Sequence, residues 1–172
     1  MKIIEAMATY FQGEKVEALV FILPIGLLSL VFGGWLLSEG DGGFTRGVAL
    51  PFLVMGLVAS VVGGVVGFRT PSQVKTLEAS IARAPEQAVS EEIFRMEKVN
   101  RAWPQYLAVW AVFGVAGLVL RFALKSDFAQ GLGIALVFFS GVCLLIDGFA
   151  ERRARPYTEV LESARTRGTA GE

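Results

Sequence analysis

The apolar residues of this chain fall into two patterns. In four stretches, 18–37, 47–68, 103–124 and 129–150, apolar side chains run all the way round a helix with no recurring polar face. Each holds about 20 residues, and at 1.5 Å rise per residue such a helix crosses the roughly 30 Å hydrocarbon core of a bilayer. A helix on a water-soluble domain keeps a polar side instead. Outside these stretches the apolar residues recur every three or four positions with charges between them, the pattern of a helix covered on one side. The chain is therefore predicted to be all-α: an integral-membrane four-helix bundle of two transmembrane hairpins, with amphipathic helices on the cytoplasmic side.

The pattern divides the chain into an N-terminal amphipathic helix (1–13), a first transmembrane hairpin (14–68), a cytoplasmic helical loop (69–102), a second hairpin (103–150) and a C-terminal tail (151–172). In the first segment Ile3, Ile4, Met7, Tyr10 and Phe11 share a face, and Gly13 reads as a C-terminal stop. Such a helix either lies in the headgroup layer or docks on the protein's own helices. In the loop, Thr70-Pro71 reads as a helix start, Val74, Leu77, Ile81 and Ala84 as its apolar stripe, and Pro85 as its end. Ser90, followed by Glu91 and Glu92, is expected to cap a second helix with Ile93, Met96, Val99 and Trp103 on one side. Pro104 is expected to kink or break the chain where this helix meets the third span. The tail is expected to restart at Pro156, with Tyr157, Val160, Leu161 and Ala164 on one face, and to be disordered over 167–172.

Charge orients the spans. Thirteen of the 16 lysines and arginines lie before the first span, between the second and third, or after the fourth. Only Arg46, Arg121 and Lys125 fall in the other two connections. Cytoplasmic loops carry the basic excess, so both termini and the central loop are expected in the cytoplasm. The first apolar run follows a long lead and lacks a small-residue cleavage site, so it reads as an uncleaved span.

Composition narrows the chemistry. Sixteen acidic side chains balance the basic ones, which argues against a nucleic-acid partner. The lone Cys143 can form no intramolecular disulfide. With no histidine, histidine-ligated haem, histidine-containing zinc sites, Ser-His-Asp catalysis and histidine proton relays are all excluded. No HExxH, Walker loop or GxSxG is present, and the spans hold one aspartate where an intramembrane aspartyl protease needs two. No catalytic, cofactor-binding or metal-binding residue is assigned.

What remains is packing and a few polar groups. Gly56, Ser60 and Gly64 stand four apart on the second span, Gly63 and Gly67 on the neighbouring stripe, and Gly133 and Gly141 on the fourth. Small residues at this spacing let helix backbones approach, either inside the bundle or against a partner. Glu17, Arg121 and Asp147 are the ionisable groups in or near the spans. Asp147 shares a face with Ser140 and Cys143, and is read as paired with Arg69 or Arg153 at the same level, or as an ion or proton site. Arg121 is expected to snorkel to the near interface. Arg95, Lys98 and Arg101 form a row read as a solvated basic face beside anionic headgroups, or as a contact for an acidic partner. Glu14-Lys15-Val16 and Glu97-Lys98-Val99 recur at a separation of 83, as do Gly34 and Gly117, a faint sign of parallel duplication.

The segments Tyr10-Phe11-Gln12-Gly13-Glu14, Phe68-Arg69-Thr70-Pro71 and Arg95-Met96-Glu97-Lys98-Val99-Asn100 resemble features of uncharacterised bacterial four-span inner-membrane proteins. The resemblance implies a bacterial inner-membrane setting and brings no activity or site with it. The functional expectation is a non-enzymatic membrane protein that binds another membrane protein, as an accessory subunit or as an antagonist such as an immunity protein against a membrane-inserting toxin. The alternative is a homo-oligomeric ion channel or small transporter, with Asp147 and Ser140 on a wet path. A lipid-binding scaffold using the N-terminal helix is a third reading. Membrane lipids and a protein partner or further copies are the expected partners.

Overall fold

The computed structural model describes residues 2–169, and every regular element among them is helical. Helix α1 (Lys2–Val16) passes through a π-helical stretch (Glu17–Ile22) into α2 (Leu23–Glu39); α3 (Gly43–Arg83), α4 (Pro85–Ala123) and α5 (Asp127–Thr169) follow. Four helical stretches are long and apolar enough to cross a membrane: Ile3–Glu39, Gly43–Arg83, Pro85–Ala123 and Asp127–Thr166.

Each apolar span runs without a break into an amphipathic extension. The helix does not stop at Gly13, because that glycine serves a close approach: a β-carbon there would strike the Arg153 side chain, whose Nε lies 3.2 Å away. The helix widens just before Pro24, where the Leu23 N–H reaches back five residues to the Ala18 carbonyl. This absorbs the donor that proline cannot supply.

Pro71, Pro104 and Pro156 likewise lie inside helices rather than at their starts or breaks. Each removes one ladder bond. The flanking apolar faces pack on one another, and that packing outweighs the loss. The chain does reverse at Ala84, held extended as the residue before Pro85 (φ −146°, ψ 78°). Pro85 therefore opens α4 as well as ending α3, and Ser90 falls inside the helix it was expected to cap. Helix α5 continues to Thr169, through the first part of the stretch expected to be disordered; 170–172 lie outside the described residues.

In the apolar part α2 packs on α3, α3 on α5, and α5 on α4, while the backbone of α2 approaches neither α4 nor α5. The helices thus lie in the order α2, α3, α5, α4. Gly47 and Gly131 bring α3 and α5 together: a β-carbon on Gly131 would strike the Phe44 carbonyl and come within 3.1 Å of the Val48 nitrogen. Gly117 and Gly133 do the same for α4 and α5. Gly34 faces open space, so it does not share the surroundings of Gly117.

At the other end the extensions gather into a helical collar. Met7, Tyr10 and Phe11 of α1 are buried against Val89, Ile93 and Met96 of α4 and Ala154, Tyr157 and Leu161 of α5. Val74, Leu77 and Ile81 of α3 pack on this core from the side. Of the two positions expected for the N-terminal helix, it takes the docked one.

The neighbouring glycines of α3 give a direct test of the packing. A β-carbon at Gly63 would meet the Leu23 nitrogen at 2.6 Å and the Ala18 carbonyl at 2.9 Å, whereas one at Gly64 meets open space. Gly63→Leu should destabilise the fold by about 1–3 kcal/mol or more, and Gly64→Leu should leave it unchanged, as measured by unfolding of the purified protein in mixed micelles.

Candidate functional site

The collar is organised around a buried carboxylate. Glu92, only 7% exposed, lies on the apolar stripe of α4 between Val89 and Met96. A charge in that position must be fully bonded to be tolerated. Arg95 donates to both of its oxygens, from Nε at 2.8 Å and Nη2 at 2.7 Å, and the Tyr157 hydroxyl donates at 2.8 Å. The Tyr157 ring stacks on Tyr10 at 4.8 Å, and the Arg95 guanidinium lies 5.4 Å from the Phe11 ring centre and 5.8 Å from that of Tyr10. Burial, then the facing Glu92 charge, raises the Tyr157 hydroxyl above its ordinary pKa, so it stays protonated and can donate to Glu92. Burial disfavours the Arg95 charge, but the bonds to Glu92 outweigh it and hold the guanidinium more firmly protonated than usual.

This divides the row expected as one solvated face. Arg95 turns into the collar, Lys98 is exposed and rests 4.3 Å from the Phe94 ring centre, and Arg101 is exposed. The signal that could have found the hub is Glu92 itself, a charge three residues after Val89 and four before Met96.

Beside the hub lies a polar cleft of about 630 Å³, lined in part by Arg69, Ser72, Gln73, Thr76, Glu92 and Arg95. Near it, Glu14 Oε2 and Gln73 Oε1 are buried acceptors with no donor. Burial raises the Glu14 pKa, against the pull of Arg69, Arg95 and Arg153.

Where collar meets spans, Arg153 Nη2 bonds Glu17 Oε2 at 2.5 Å. Arg153 is thus taken by Glu17 rather than by Asp147. The Asp147 carboxylate instead accepts from the Trp110 indole N–H at 2.7 Å, and the Ser140 hydroxyl donates to the Trp110 carbonyl at 2.7 Å. An indole within an apolar helix needs an acceptor when it packs on a neighbour, and that requirement was readable from Trp110. Asp147 and Cys143 border a small cavity of about 170 Å³ walled by α2, α3, α4 and α5. Arg121 lies at the opposite end, its Nη1 3.4 Å from Gln130 Oε1.

The small residues divide in the same way. Gly56, Ser60, Gly63 and Gly67 face the first span, and Gly133 faces α4, so all of these serve internal contacts. Gly64 and Gly141 face open space. Among the described residues no group of three or more Cys, Asp or Glu side chains is placed to hold a metal ion. Comparison with family models, characterised proteins and solved structures finds no match.

Two outcomes are expected in the collar. Tyr157→Phe should cost about 1–3 kcal/mol by leaving the buried Glu92 short of a donor, and Glu92→Ala about 1–3 kcal/mol by removing the partner of both Arg95 and Tyr157, in equilibrium unfolding. Glu14 binds its proton more tightly in the folded chain than at its ordinary 4.5. Its contribution to stability is therefore full below pH 4.5 and is lost as pH rises through the elevated folded value. Glu14→Gln should flatten that fall and raise the melting temperature at pH 7, read from melting curves across pH.

Proposed function

We propose that this protein is a non-enzymatic, multi-pass protein of the bacterial inner membrane that binds another membrane protein. In this reading the four apolar helices form two transmembrane hairpins packed as a bundle. The collar carries every lysine and arginine except Arg46, Arg121 and Lys125, so the basic-side rule puts the collar and both termini in the cytoplasm.

The observation that carries the binding role is the outer face of α4. Only 6% of its apolar window is buried, against 22% in each of the other three. It stands at the end of the row, with Val112, Val115, Val119 and Phe122 pointing away from α5. Such an exposed, valine-rich face suits a second helix, because membrane helices associate by close van der Waals packing. An accessory subunit or an antagonist of a membrane-inserted protein would use it in this way.

The channel reading has less support. A conducting path needs polar groups free to meet water, and both Asp147 and Ser140 are bonded to Trp110 inside the fold.

Mass measurement of the intact complex after gentle extraction should give this chain with a stoichiometric second protein. Photo-crosslinkers at Val112 and Val119 should capture that protein, and crosslinkers at Leu57 and Val61, exposed on α3, should not. Adducts to lipid alone would remove α4 as the contact. A homo-oligomer whose ion flux is lost on Asp147→Asn would put the channel first.

A further inference from the structure

We propose that the cleft between the first apolar helix and α5 binds one zwitterionic phospholipid, an acyl chain lying between the helices and an ammonium–phosphate headgroup at the Glu17–Arg153 pair. The backbones of α2 and α5 do not approach, and α3 packs against both, so the two helices border a notch open to the side. The notch holds about 540 Å³. Its walls are Phe21 and Ile25 on one side and Val142, Leu145 and Phe149 on the other, and its collar end is closed by Glu17 and Arg153.

Its dimensions select the occupant. From Gly13 to Ile25 the first wall runs about 18 Å at 1.5 Å per residue, close to the roughly 15 Å depth of one leaflet's hydrocarbon. The second wall, Val142 to Arg153, runs roughly 16 Å. A helix about 10 Å across would need roughly 1,400 Å³ over that length, far more than the notch offers. A single alkyl chain fits where a helix does not. Leu145 and Phe149 are 65% and 61% exposed, apolar surface that a chain would cover.

The mouth selects the headgroup. Arg153 bonds Glu17 through Nη2, and its Nε has no acceptor. A guanidinium carries five donors, so a phosphate oxygen can be added. Glu17 uses one oxygen, Oε2, leaving the other to accept from an ammonium. The pair sums to zero charge. An anionic headgroup would meet Arg153 with Glu17 against it, whereas a phosphate bearing its own ammonium matches both.

The test is a competition. The purified full-length protein is stripped of lipid, reloaded from vesicles of equimolar phosphatidylethanolamine and phosphatidylglycerol with identical acyl chains, and weighed intact. One phosphatidylethanolamine per chain is expected, in at least tenfold excess over phosphatidylglycerol. Leu145→Trp, which fills the notch from an exposed position, should lower retention at least tenfold with unchanged helicity. Glu17→Gln, which keeps an acceptor for Arg153 but removes the negative charge, should move the preference toward phosphatidylglycerol. No retained lipid, equal retention of the two lipids, or a preference for phosphatidylglycerol in the unaltered protein would overturn the proposal, independently of whether any variant folds. So would undiminished retention in a folded Leu145→Trp protein.

Discussion

A carboxylate among apolar side chains is stable only when every oxygen is bonded, and Glu92 meets that condition by drawing on two helices at once. Arg95 comes from its own helix and Tyr157 from α5, while Tyr10 and Phe11 of α1 cover the guanidinium and the ring. The bonds are directional, so α4 and α5 can meet in few rotations and few registers, and the rings of α1 pack on the result. Hydrophobic burial alone would allow the collar helices to slide, since Met7, Ile93, Met96 and Leu161 supply area without direction.

That constraint reaches into the spans because the helices run unbroken across the boundary. Fixing α1 against α5 in the collar sets Glu17 opposite Arg153, with Gly13 clearing room for the arginine stem. Further along, Trp110 takes up both Asp147 and Ser140 between α4 and α5, so these polar groups of the apolar helices are used as internal ties. Glycines then let the backbones close on each other from α2 to α3, α3 to α5 and α5 to α4. A row has ends and a notch, and these leave two apolar surfaces of different shape. The valine-rich face of α4 is exposed, and the notch beside α5 is walled by apolar side chains with Glu17 and Arg153 at its collar end.

The two periodicities were legible because each is a property of a single helix. A run with no polar face, or a stripe every three or four residues, is visible in one dimension: of the stripes named from the sequence, Met7, Tyr10, Phe11, Ile93, Met96, Tyr157 and Leu161 form the collar core, whereas Ile4 and Ala84 are exposed. Proline was misleading for a related reason. Rules for Pro71, Pro104 and Pro156 weigh a lost backbone bond against solvent, whereas here the bond is weighed against packing that no local window contains.

The sequence by itself determined four apolar helices of membrane-crossing length, the amphipathic character of the segments beside them, and the one-sided distribution of basic residues. Only the tertiary structure decided which groups meet. Arg153 chose Glu17 over Asp147, Arg95 left the row it shared with Lys98 and Arg101, and Gly63 and Gly64 parted to opposite surroundings. Each of those outcomes depends on how a helix is rotated about its axis. An apolar run looks the same from every side, so its rotation is set by contacts with other helices and cannot be read from the run alone.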